Sequence, residues 1–172
     1  MKKFDLSQPN FDKILHDTQN VLAKLRKQMI HDPENITDAI KILKNIRHEV
    51  YEDLNQIQHE YLIICAAQWL QKNENIPQEV TWFWNPRQTG NSDEPDLACD
   101  SKGSRIISAE ITTSKNPKGS IDKRMRETLL KLDQFEGKKF YFVQTDSMSR
   151  RAKGKVNSNS LDIKVVFLHD EE

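Results

Sequence analysis

Apolar side chains recur at three- and four-residue steps near the start of the chain. Phe11, Ile14, Leu15, Thr18, Leu22, Leu25 and Met29 form one stripe, as an amphipathic helix requires. Asp32-Pro33 then reads as a stop and a new start, with Asp as cap and Pro in the first turn. A second stripe runs from Ile36 through Ile40, Leu43, Arg47, Val50, Leu54, Ile57, Tyr61 and Ile64 toward Trp69. It suits one long helix, or two with a break near Arg47-His48. After Asn73 the pattern changes. Residues 80–84 (VTWFW) are β-branched and aromatic, as strands are. Residues 85–92 read as a loop, and residues 95–100 and 104–113 as a hairpin whose Gly103 supplies the positive φ of a short turn. Ser120 or Asp122 could cap a helix reaching about Phe135, with Met125, Leu129, Leu132 and Phe135 on one side. Residues 139–143 and 163–168 are strand-like, and the basic segment 147–158 between them is open to helix or loop. This order predicts an α/β fold with a mixed β-sheet flanked by helices. Residues 1–47 form a helical extension, a possible dimerisation element, and residues 48–172 the core.

A length of 172 residues suits one domain with such an extension. No apolar run approaches the roughly 20 residues a membrane span needs, and the basic start has no apolar segment of the secretory kind. Cys65 and Cys99 lack zinc-type spacing, so a reducing, cytoplasmic setting is expected. The formal charge is zero, with 26 basic and 26 acidic side chains, but the balance is uneven. The first 99 residues carry 11 basic and 15 acidic side chains, residues 100–164 carry 15 and 8, and the last three are acidic. The positive stretch is what a phosphate-binding face needs, although a solvated lysine-rich surface has the same composition.

The hairpin carries the candidate chemistry. Side chains alternate faces along a strand. With the turn at 101–103, Asp96 falls opposite Ser108, so Asp96, Ala98, Ser108, Glu110 and Thr112 share one face. Leu97, Cys99, Ile107, Ala109 and Ile111 share the other and should pack on a helix. Asp96 and Glu110 become diagonal neighbours. Two carboxylates that close repel, unless one is protonated or a cation lies between them. Mg²⁺, or Mn²⁺ in its place, is the economical cation, because it takes one or two carboxylates plus water and phosphate oxygens. The plainer alternative is that both acids keep a solvent-facing strand soluble.

Pro95-Asp96, the hairpin, Glu110-x-Thr112 and the following helix and aromatic strand resemble the PD-(D/E)XK nuclease superfamily, to which several type II restriction endonucleases belong. The resemblance covers about residues 50–168 and implies a restriction-endonuclease-like sheet. It implies Mg²⁺-dependent hydrolysis of double-stranded DNA at Asp96 and Glu110. An acid from the first helix would correspond to Glu60, with Glu52 and His59 as weaker candidates. The family pattern expects a lysine where this chain has Thr112, which cannot stabilise developing negative charge as a cation does. Lys115, Lys118 and Lys123 are the nearest substitutes in sequence. Cutting both strands would call for two subunits, here a homodimer through the N-terminal helices.

Arg124 and Arg126, together with Arg150, Arg151 and Lys153, suit phosphate contacts, as does Lys118. Arg87, Gln88 and Asn91 could reach base edges. Trp69, Trp82 and Trp84 suit core packing better than base stacking. No phosphate-binding glycine loop, HExxH or GxSxG pattern occurs. The missing lysine also leaves room for a catalytically inactive DNA- or protein-binding module on the same fold.

Overall fold

The computed structural model describes residues 1–4, 6, 9–29, 32–85 and 93–168. A short strand, β1 (Lys2–Phe4), precedes helix α1 (Pro9–Gln28) and helix α2 (Ile36–Asn73). Asp32-Pro33 does not start α2. Asn35 does, because its side-chain oxygen accepts the Asp38 N–H at 3.0 Å. The helix runs unbroken through Arg47-His48, so the boundary expected at 47/48 falls inside it.

Strands β2 (Thr81–Trp84), β3 (Leu97–Ser101) and β4 (Ser104–Ile111) follow. Then come α3 (Ser120–Asp133), β5 (Lys138–Val143), α4 (Asp146–Ser158) and β6 (Ile163–Phe167). The ambiguous basic segment is thus a helix. Thr145 caps α4 by accepting the Met148 N–H at 3.2 Å. Helix α3 starts behind Gly119 with no side-chain cap. Asp122 instead accepts from Arg151, at 2.7 and 3.0 Å, and from Lys155 at 3.1 Å, tying α3 to α4.

Among the described residues the sheet has six strands in sequence order, β1 to β6. Neighbours from β1 to β4 are antiparallel, while β4, β5 and β6 are parallel and joined through α3 and α4. The sheet is mixed, as the order of elements predicts. The N-terminal part expected to be helical also supplies an edge strand.

Alternation along the strands builds two cores. Leu97, Cys99, Ile107, Ala109 and Ile111 pack with Phe140, Phe142 and the α2 side chains from Leu62 to Leu70. Tyr141, Val143 and Ile163 pack on the other side with α3 and α4. The tryptophans are packing groups: Trp82 and Trp84 are buried against Phe4, and Trp69 lies edge-on to Phe140 and Phe142.

The hairpin register differs from the simple expectation. Ser101 pairs with Ser104 and Asp100 with Arg105, but Cys99 pairs with Ile107, leaving Ile106 as an extra residue on β4. The pairing Leu97 with Ala109 then puts Asp96 directly opposite Glu110 rather than diagonal to it. Gly137, at φ +81°, lies against this bulge: a Cβ there would meet the Ile106 carbonyl carbon at 2.5 Å. Gly137→Ala should therefore cost about 2 kcal/mol or more in urea unfolding, from strain and backbone overlap together. Gly154→Ala, in α4 with nothing within 4 Å of the new methyl, should instead stabilise by about 0.5–1 kcal/mol.

Candidate functional site

Strands β4 and β5 end at the same edge of the sheet, where β3 begins. Asp96 lies just before β3 and Glu110 is the penultimate residue of β4, so the two carboxyls meet at that edge. They are only 3 % and 5 % exposed, which excludes the reading of a solvent-facing strand. Crevices at the carboxyl ends of parallel strands are usual ligand sites. Here a cavity of about 410 Å³ opens between α2 and α3. Its walls include Glu52 and His59 from α2, Thr112 to Ser114 after β4, and Arg124 and Thr128 from α3.

Each acid has a basic neighbour. His59 Nε2 is 3.3 Å from Asp96 Oδ2, which also accepts the Ile111 N–H at 2.8 Å. Burial opposes charge on His59, but the Asp96 carboxylate and the Ile111 backbone outweigh it and raise the imidazole above its ordinary value. Lys131 Nζ, from α3, donates to Glu110 Oε1 at 3.3 Å and to the Glu94 carbonyl at 3.3 Å. Burial first, and the Asp96 charge second, push the Glu110 carboxyl up to about 8, against the pull of Lys131. Tyr141 is likewise raised by burial, while its hydroxyl bonds with the Thr112 side chain.

Several expected residues sit elsewhere. Glu60 does not line the cavity. One residue along a helix turns the side chain by about 100°, which aims Glu60 at α1. There it is buried in contact with Lys13, and accepts from Gln56 at 3.2 Å. His59 and Glu52, its weaker rivals, are the α2 residues at the cavity. Lys115, Lys118 and Lys123 are exposed and none lines the cavity; Lys123 lies 3.9 Å from Glu127. The lysine beside the acids is Lys131, further along α3, where no sequence spacing points to it. Thr112 and Arg124 line the cavity. Arg126 and Lys153 are exposed outside it, while Arg150 pairs with Asp146 and Arg151 with Asp122. Arg87, Gln88 and Asn91 lie outside the described residues.

Oxygen donors suited to a hard divalent cation are present in Asp96 and Glu110, and the raised Glu110 value is that of a buried acid short of positive charge. Among the described residues no group of three or more His, Cys, Asp or Glu side chains forms a metal-binding cluster. A cation held here would take its other ligands from water or phosphate. No helix among the described residues is long and apolar enough to cross a membrane. Comparison with protein-family models, curated proteins and solved structures found no match to this chain.

The raised values set a direction for stability against pH. An acid raised on folding stabilises fully below its unfolded value of 4.5, and that stabilisation drains away as pH rises toward about 8. His59 acts in the same sense, because the stability from its charge is lost as pH climbs through its raised value. Without divalent cations, the urea midpoint should fall from about pH 5 to about pH 8, and Glu110→Gln should flatten that slope. An unchanged slope in the variant would assign it to other groups.

Proposed function

We propose that this chain is a metal-dependent DNA endonuclease of the PD-(D/E)XK type, of the restriction or related prokaryotic defence kind. The observation that carries the reading is the buried Asp96–Glu110 pair with Lys131 on Glu110, at the wall of a polar cavity. Mg²⁺ or Mn²⁺ held by the two carboxylates would activate water and neutralise the scissile phosphate. The chain's own groups do the rest. Lys131 favours the ionised form of Glu110 and supplies the positive charge that Thr112 cannot. The Ile111 N–H and His59 fix the orientation of the Asp96 carboxylate. Arg124, exposed at the cavity wall, is placed to grip a phosphate. One such site per chain cuts one strand, so duplex cleavage calls for two chains.

One observation favours a second reading, a catalytically inactive binding module. His59 and Lys131 already give the two acids basic partners from within the chain. Incubating the protein with varied duplex DNA and Mg²⁺ or Mn²⁺ separates the two. The nuclease should release discrete fragments, stop on addition of EDTA, and lose cleavage in Asp96→Ala and Glu110→Ala. Lys131→Met should slow it by about 10²–10³-fold. Duplex binding without cleavage, unchanged in both alanine variants, would establish the inactive module instead.

A further inference from the structure

Ten of the eleven large hydrophobic side chains exposed among the described residues belong to α1 and α2 with its flanking turn, and only Leu130 lies elsewhere. On the α1 side they are Phe11, Leu15, Leu22 and Met29, at steps that keep them on one face. On α2 they are Ile36, Ile40, Leu43, Tyr51, Leu54 and Tyr61, again one face at three-, four-, seven- and eight-residue steps. Phe11 and Tyr61 line a common cavity, so the two stripes adjoin. Ile36, at 81 %, and Leu43, at 61 %, are as bare as side chains in an isolated helix.

This face is distinct from the site. Glu52, Asn55, Gln56 and His59 turn toward the cavity, while the apolar stripe points away from it. The polar seam between the helices is separate too: Lys13 meets Glu60, and Lys24 meets Asp53 at 2.6 Å. Those pairings, low residue number to high, make α1 and α2 antiparallel. Arg47 interrupts the stripe, but its guanidinium lies 5.6 Å from the Tyr51 ring centre, spread along the aromatic face.

We propose that this face binds a second copy of the chain, the two antiparallel helix pairs closing into a four-helix bundle. The area fits: on the order of 1,000 Å² of side-chain surface is bare there, against about 800 Å² per partner in a standard interface and a few hundred in a usual monomer patch. The shape fits as well. A helix pair with one bare apolar face is half of a four-helix bundle, and a two-fold axis matches that face with itself. The arrangement deepens the nuclease reading by assigning its two chains a contact surface, but stands on the surface alone. A dimer that does not cut DNA would leave it intact.

Light scattering on the eluting full-length protein reads the answer as a mass. At micromolar concentration the wild type should show twice the 20.1 kDa of one chain, falling toward one chain on dilution. The double variant Leu43→Glu, Leu54→Glu removes no core contact, and should halve the mass with its helical circular dichroism unchanged. Leu130→Glu, off the face, should stay at the doubled mass. A single-chain mass for the wild type throughout, or a doubled mass that survives the double variant, would overturn the proposal. A single chain that instead floats with anionic phospholipid vesicles would overturn it too, and give the face to a lipid surface.

Discussion

The candidate site depends on one extra residue in a hairpin. The tight turn that pairs Ser101 with Ser104 shifts the register by one position and the Ile106 bulge in β4 by a second, and together they bring Asp96 from a diagonal position to one directly opposite Glu110. A bulge needs room on the neighbouring strand's side, and Gly137, just before β5, leaves it: any side chain there would run into the Ile106 backbone. A residue without a side chain, 27 positions beyond Glu110, thus helps to set the distance between two carboxylates.

Placing two acids together in a buried position is costly unless opposite charge is near. Here the basic partners come from opposite layers of the fold, His59 from α2 and Lys131 from α3. The electrostatics of the pair therefore bind the two helical layers to the same edge of the sheet. They also leave the pair unevenly satisfied. Asp96 has a backbone N–H as well as His59, whereas Glu110 has Lys131 and a side-chain hydrogen bond with Asp96 itself, and carries the raised value. A cation or a phosphate-bound metal would find its strongest new partner in Glu110.

Much of this fold can be read from the sequence where a short period governs it. The division of the hairpin into an apolar face and an acidic one follows from alternation alone, and turn and bulge together preserve it because each moves the register by one position, two in total. The bulge itself leaves no periodic trace, so the direct pairing of the acids does not show. Lys131 is invisible for a different reason: it reaches Glu110 from 21 residues away, across a helix whose turns set the distance. Glu60 and His59 are adjacent in sequence but diverge by a third of a turn, and only the direction of the sheet decides which one faces the cavity. Helix α4 is obscured by its basic, weakly apolar sequence, although Thr145 caps it in the usual way. The three-residue strand β1 is too short for alternation to reveal.

The length of α2 draws these points together. Its contacts with the sheet core begin at Leu62 and need only its last three turns. The preceding residues, back to Ile36, are explained by other surfaces: α1 along the polar seam, the cavity at Glu52 to His59, and the bare apolar stripe. A helix gains little from propensity alone in its terminal turns, and most helical stability in proteins comes from packing of an apolar face. The first two turns of α2 have such a face in Ile36, Ile40 and Leu43, with none of it buried. Covering that face would stiffen the same rod that carries His59 to Asp96.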